Sequence, residues 1–248
     1  MIEIKDLDFT GQRVLVTGAA SGIGFAIARL FQDHGGDLIV ADLNINLLKK
    51  RAWKTSGKIT MHHYDQSDSS SIANLASLVG SIDVFCNNAG MIHTGPFLKQ
   101  STKVIQEIIE VDLIGPILLA RLIGESMIMR GKGVIVNTAS QLAFHGSATR
   151  AAYAAAKAGM VQFTKSVAAE WAPHGVRVVA LAPGRTLTPM TAASLSNQKQ
   201  RAEGLKHIPK GRYGNPEEMA KLTLFLASGL ASYIVGETVV ADGGYILL

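Results

Sequence analysis

Tyr153 and Lys157 stand four residues apart in Ala151-Ala152-Tyr153-Ala154-Ala155-Ala156-Lys157, and Ser140 lies thirteen residues before the tyrosine. Alanine is the strongest helix former, so this segment reads as helix. A spacing of four puts the phenol and the ammonium one turn apart on the same face. A cation beside a phenol favours phenolate, which predicts that Lys157 lowers the Tyr153 pKa. A tyrosine tuned in that way acts as a general acid or base. A serine hydroxyl aimed at the same substrate oxygen would stabilise the charge developing there. Alone, the tyrosine–lysine pair is a common exposed helical couple. With Ser140 and a cofactor signature beside it, it predicts an enzyme.

Those side chains need a scaffold. Short apolar runs alternate along the chain with longer helical patterns. Residues 13–17, 37–41, 59–64, 82–86, 134–138, 176–181 and 237–241 read as strands, and 22–34 as the first helix. Continuous apolar strands separated by helices imply a parallel sheet covered on both faces. The expected fold is α/β: a single-domain, Rossmann-type doubly wound sheet of about seven strands over residues 1–248. Ligands of such folds bind beyond the carboxyl ends of the strands. No repeat, low-complexity tract or long linker marks a domain boundary.

The cofactor end lies between the first strand and first helix. There Gly18, Ser21, Gly22, Ile23 and Gly24 form a glycine-rich turn. Its glycines permit close backbone approach to a pyrophosphate, and the helix amino terminus supplies free N–H groups. Asp42 ends the second strand, eighteen residues past Gly24. A carboxylate there accepts hydrogen bonds from ribose hydroxyls and repels a 2′-phosphate. Leu43-Asn44-Ile45 brings no arginine to offset it, so the expected cofactor is NAD rather than NADP. Asp65, at the end of the third strand, is a candidate for the adenine amino group or else a turn residue. Asn88, Ala89 and Gly90, after Asn87, form a turn that can face the ribose.

Composition narrows the class. The 248 residues are 48% apolar and 17% charged, as in a globular chain. One cysteine, Cys86, excludes an internal disulfide and fits a reducing compartment. Residues 1–6 show no basic region followed by an apolar run, and no apolar stretch approaches the roughly 20 residues of a membrane span. A cytoplasmic protein is expected. Net charge is +5 with dispersed basic residues, which argues against a nucleic-acid partner. His62-His63 lacks partners at metal-ligand spacing, so no metal is expected.

In this order and spacing the motifs resemble the short-chain dehydrogenase/reductases over essentially the whole chain. The matching pieces are Thr17-Gly18-x-x-x-Gly22-Ile23-Gly24, Asp65, Asn87-Asn88-Ala89-Gly90, Ser140, Tyr153-x-x-x-Lys157, and Pro183-Gly184 with Thr188. The tail matches as well, from Gly211-Arg212-Tyr213-Gly214-Asn215-Pro216 to Asp242-Gly243-Gly244. The resemblance implies hydride transfer between a nicotinamide cofactor and a small secondary alcohol or ketone of the polyol, sugar-acid or cyclic type. It implies that Tyr153 is the acid/base, that Ser140 bonds the substrate oxygen, and that Lys157 also bonds the nicotinamide ribose. It places Pro183, Gly184, Thr186 and Thr188 near the carboxamide. It also implies a homo-oligomer, a dimer of dimers pairing the alanine face around Tyr153 and a long helix over 104–129. The alternatives are a 3-oxoacyl-carrier-protein reductase and a non-catalytic nucleotide-binding regulator.

One position departs from the family. Asp112 stands where an asparagine is usual. In relatives the atom of interest there is a main-chain carbonyl, freed by a helix kink, that holds a water behind the lysine. Pro116, four residues on, has no N–H and clashes with the Asp112 carbonyl, which predicts the same kink. An ionised Asp112 would favour charged Lys157. Candidates for substrate contact are His93, Gln141, His145, Arg150 and Arg185, under a polar lid at 190–210.

Overall fold

The computed structural model describes residues 7–53, 58–196 and 198–248. Strands β1 (Arg13–Thr17), β2 (Asp37–Asp42), β3 (Ile59–His63), β4 (Val84–Asn87), β5 (Gly133–Thr138), β6 (Val176–Pro183) and β7 (Thr238–Ala241) make one parallel sheet. Their spatial order is β3-β2-β1-β4-β5-β6-β7. All seven expected strands are present, with ends displaced by one or two residues. The largest shifts are in β4, which starts at Val84 rather than 82, and β6, which runs on to Pro183 while pairing with Ala241. The chain reverses direction across the sheet between β1 and β4. That reversal leaves a crevice at their carboxyl ends.

Strand periodicity of two divides the core. Val14, Val16, Leu38, Val40, Val84 and Cys86 point to one face, where α1 (Gly22–Asp33), α2 (Ile45–Lys50) and α9 (Pro216–Ala227) bury Ile27, Phe31, Leu48 and Leu224. Leu15, Ile39, Phe85 and Ile135 point to the other. There α3 (Ser69–Val79), α5 (Gly115–Arg130) and α6 (Ala151–Trp171) contribute Leu75, Leu119, Met127 and Trp171. Both faces of every central strand are therefore apolar, the physical cause of the unbroken hydrophobic runs. Cys86 is inert core, its thiol pKa pushed up by burial.

The long helix expected over 104–129 is interrupted. It consists of α4 (Thr102–Ile109), a π turn (Glu110–Ile114) and α5. Pro116 cannot donate to the carbonyl four residues back, and the backbone takes the wider π register instead, the Gly115 N–H donating to Glu110. The kink that Pro116 predicts is thus a π turn centred on Asp112. The segment expected as a lid folds as α7 (Pro189–Ser196) and α8 (Gln198–Lys206). Residues 1–6, read above for a signal, lie outside the described residues, as do position 197 and the Lys199 side chain of the lid. Among the described residues no helix is long and apolar enough to cross a membrane.

Candidate active site

A cleft of about 340 Å³ lies over the carboxyl ends of the central strands. Gly18, Ser21, Gly22, Ile23 and Gly24 line one end. Gly18 has φ +68°, and a Cβ on it would stand 2.9 Å from Ala89 Cα. A Cβ on Gly24 would overlap the Gly18 carbonyl oxygen. The turn after β1 and the Asn88-Ala89-Gly90 turn after β4 therefore approach backbone to backbone, which only glycine allows. Thr17 locks them together. Its hydroxyl accepts from Asn88 N and Ala89 N at 3.1 Å each, and its carbonyl accepts from Asn88 Nδ2 at 3.1 Å. Ser21 caps α1 without a side-chain bond, so the first-turn N–H groups stay available to an anion. A backbone cradle of this kind fits a dinucleotide pyrophosphate.

Asp42 lines the same end. Its carboxylate accepts from Ala20 N at 2.9 Å and Asn44 N at 2.8 Å. The fold also brings in an arginine that the residues next to Asp42 do not offer. Arg51 Nε donates to Ala20 O at 2.5 Å, with its guanidinium 4.8 Å above the Phe25 ring. Asp65 is not among the residues lining the cleft. Its Oδ1 closes a turn on Ser67, accepting from N at 2.9 Å and Oγ at 2.7 Å.

Ser140, Tyr153, Lys157 and Asp112 meet at the other end, with Pro183, Gly184 and Thr186 beside them, whereas Thr188 packs over Gly22 of the glycine turn, 3.2 Å from where a Cβ on that glycine would stand. Lys157 Nζ lies 3.1 Å from Asp112 Oδ1, donates to Thr138 O at 3.1 Å, and is 5.8 Å from the centre of the Tyr153 ring. Asp112 Oδ1 also accepts from Met91 N at 3.3 Å. Gly90 makes room for that oxygen; a Cβ there would sit 2.7 Å from it. Asp112 Oδ2 is buried with no partner among the described residues. Ser140 Oγ accepts from Leu142 N at 3.2 Å, and its hydroxyl hydrogen-bonds the Tyr153 phenol, so serine and tyrosine meet where a substrate oxygen would lie.

The electrostatics differ from the simple tyrosine–lysine argument. Burial dominates at Tyr153 and raises its pKa; Lys157 pulls it down as expected, but Asp112 pushes it up, and the net direction is up. The expected lowering is therefore only one component, because burial and Asp112 together outweigh the neighbouring ammonium, the Ser140 hydrogen bond and Arg150. At Lys157 burial favours the neutral amine, yet Asp112 and Tyr153 outweigh it and raise the pKa. At Asp112 burial is the largest influence and raises the pKa against the pull of Lys157. The 3.1 Å contact supports the charged pair.

Several supporting residues were not visible in the sequence. Gln66 Nε2 donates to Ala89 O at 2.9 Å and to Val111 O at 2.6 Å, tying the turn after β4 to the π turn that carries Asp112. In a π register Val111 O would face Pro116, which has no N–H, so the amide replaces a missing backbone donor. A Cβ on Gly115 would overlap Gln66, which explains that glycine. Asn87 Nδ2 donates to Asn137 Oδ1 at 3.0 Å, Asn137 Nδ2 to Thr164 Oγ1 at 2.9 Å, and Thr164 Oγ1 to Met160 O at 2.8 Å. This buried ladder fixes α6, and so Tyr153 and Lys157, on the sheet.

Among the substrate candidates, Gln141, Arg150 and Arg185 line the cleft, and so does Tyr245, which had no sequence signal. His93 and His145 do not; His145 instead packs edge-on against Tyr245 at 5.4 Å. Among the described residues no group of three His, Cys, Asp or Glu is placed to hold a metal ion.

The profile of a family described as enoyl-(acyl carrier protein) reductase matches residues 18–246. A 3-oxoacyl-[acyl-carrier-protein] reductase of Chlamydia pneumoniae is 37% identical over 96% of this chain and 98% of its own. An NAD-dependent glycerol dehydrogenase of Listeria innocua is 35% identical over 97% of this chain and 96% of its own. A crystal structure from Beutenbergia cavernae, provisionally assigned as an NAD(P)-dependent gluconate 5-dehydrogenase and holding NADP at low occupancy, superimposes with TM-score 0.90. It is 35% identical and covers 98% of this chain and 100% of its own.

Proposed function

The chain belongs to the short-chain dehydrogenase/reductase family of oxidoreductases, and from that premise we propose that it is an NAD-dependent dehydrogenase of a small secondary alcohol. The substrate is of the polyol, sugar-acid or cyclic type. A nicotinamide dinucleotide held in the cleft supplies the hydride acceptor or donor. Tyr153 exchanges a proton with the substrate oxygen, taking it when an alcohol is oxidised and giving it when a ketone is reduced. Ser140 donates a hydrogen bond to that oxygen. Lys157 keeps a positive charge beside the phenol, and Asp112 holds the ammonium in place. Glycerol and gluconate, in the names of two relatives, are small polyhydroxy compounds.

Asp42 carries the cofactor preference. Two backbone N–H groups hold its carboxylate at the rim where an adenosine ribose would lie, and a 2′-phosphate there would meet a fixed negative charge. The test is kcat/KM with NADH against NADPH on one ketone. NADH is expected to be preferred by about tenfold or more, the scale of one unfavourable charge contact. A preference for NADPH would overturn the assignment. Arg51, bonded to the same Ala20 peptide, favours a second reading, an NADP-dependent 3-oxoacyl-carrier-protein reductase. Turnover of an acetoacetyl thioester with NADPH, faster than any NADH reaction, would establish it.

The reading includes a symmetric homo-oligomer. Ala151, Ala155 and Ala158 of α6 are exposed and would let a second copy's helix approach closely. Light scattering in solution tests this, and a monomer at micromolar concentration would refute it.

A further inference from the structure

Beside the Lys157–Asp112 pair, the reacting end of the cleft holds two cations that no carboxylate among the described residues meets. Arg150 sits at the amino terminus of α6, one turn before Tyr153, and Arg185 follows Gly184 after β6. Both line the cleft and both are half-buried. Neither makes an ion pair among the described residues. Arg150 has one weak bond, Nε to Thr94 Oγ1 at 3.4 Å, and Arg185 lies 5.9 Å from the Tyr245 ring centre. Burial and the like charge of Arg185 both weigh against the Arg150 cation, while the groups that favour it are the phenols of Tyr153 and Tyr245, not carboxylates. Two guanidinium groups kept close without an acid are costly unless something anionic joins them.

A second orphan lies beside them. Gln141 is 4% exposed, it lines the cleft, and its Oε1 is buried with no partner among the described residues. A carbonyl oxygen accepts and cannot donate, so its complement is an O–H or N–H group. A buried polar atom without a protein partner is a place where a water or a ligand group fits, and this one lies beside Gly184 at the cleft wall.

We propose that the substrate of this site is a polyhydroxy acid, whose carboxylate is received by Arg150 and Arg185 and one of whose hydroxyls donates to Gln141 Oε1. This rests on the hydride-transfer reading above and narrows it. The carboxylate meets a planar, doubly donating cation on each side, the geometry that arginine recognises best. A neutral polyol of equal length would accept hydrogen bonds from the same cations without offsetting their charge.

The experiment compares aldonates of four to six carbons, each against the neutral alditol of the same chain, by NADH formation. Aldonate binding to the protein–NADH complex is followed in parallel by calorimetry. At least one aldonate is expected to exceed its alditol in kcat/KM by about thirtyfold or more, the scale of charge-assisted hydrogen bonds. Arg150→Gln and Arg185→Gln are each expected to reduce that ratio about tenfold, mainly through KM, and to weaken aldonate binding in the calorimeter by a similar factor. Gln141→Leu is expected to weaken aldonate binding while leaving the preference for acid over alditol. The proposal is overturned if neutral alcohols match or exceed the acids, or if the acid preference survives both arginine substitutions. It is also overturned if no aldonate binds or reacts while a neutral cyclic ketone is reduced, and the hydride-transfer reading then stands. Absence of NADH or NADPH formation or consumption with every alcohol and ketone would overturn the hydride-transfer reading, and the acid assignment with it.

Discussion

The two ends of the cleft are made of different material. At the glycine turn the wall is backbone: Gly18 and Gly24 close against Ala89 and Gly18, and Thr17 pins both turns. At the reacting end the wall is buried side chains that titrate. The contrast is plain in two aspartates. Asp42 is half-buried at the rim and accepts from two backbone N–H groups. Asp112 is wholly buried, shares one oxygen between Lys157 and Met91 N, and leaves the other without a partner among the described residues. Fixed backbone dipoles hold the rim carboxylate in place. An interior one needs a cation, and its charge then acts on every neighbour. Binding can be built from backbone geometry alone, whereas proton transfer requires coupled charges held out of water.

That contrast can be broken from the reacting end first. Tyr153→Phe removes the hydroxyl proposed to exchange the substrate proton, and kcat at saturating dinucleotide is expected to fall by about 10²- to 10⁴-fold. Turnover within tenfold of wild type would place the acid/base role on another group. At the opposite end, Gly24→Ala puts a methyl into the Gly18 carbonyl. The cost of such overpacking is about 1–3 kcal/mol, and fluorescence titration should show dinucleotide affinity weaker by about ten- to a hundredfold. Unchanged affinity would mean the turn is not the phosphate cradle.

Gln66→Leu tests the strut between the two ends. Ala89 O and Val111 O each lose their donor from this side chain. An expected loss of about 1–3 kcal/mol in denaturant unfolding, together with a displaced pH–rate profile, would mark it as a positioning residue. Loss of stability with an unmoved profile would limit it to a structural role.

Asp112→Asn gives the smallest effect and the sharpest comparison. The Asp112 charge raises the Tyr153 pKa, so its removal lowers it. Oxidation needs the deprotonated phenol. With Lys157 still charged, the limb of the kcat/KM profile that reports Tyr153 should therefore move to lower pH in the variant. A profile that does not move would mean the Asp112 carboxylate is idle.

Most of the fold was legible because parallel strands buried on both faces read as apolar runs whatever surrounds them, as Arg13–Thr17 and Val176–Pro183 do. The glycine turn, Asp42 and the Ser140, Tyr153 and Lys157 trio were legible because each sits at a spacing that its chemistry requires. Asp65 was ambiguous since an aspartate after a strand serves a turn as readily as a ligand, and here it closes a turn on Ser67. Gln66, Thr164, Arg51 and Tyr245 carried no local signal. Their side-chain partners lie 23 residues away or more, except for the bond of Thr164 to Met160 and that of Tyr64 to Gln66.

The sequence by itself determined a doubly wound sheet, a glycine-rich turn between its first strand and helix, and a tyrosine–lysine pair on one helix face, because these depend on periodicity and on spacing within a few turns. It also determined that Pro116 must disturb the helix at Asp112. Only the tertiary structure decided the form of that disturbance, a π turn capped by Gln66, and only it set the charge balance at the phenol. Spacing brings Lys157 to Tyr153; burial and a carboxylate from another helix decide which way the proton leans.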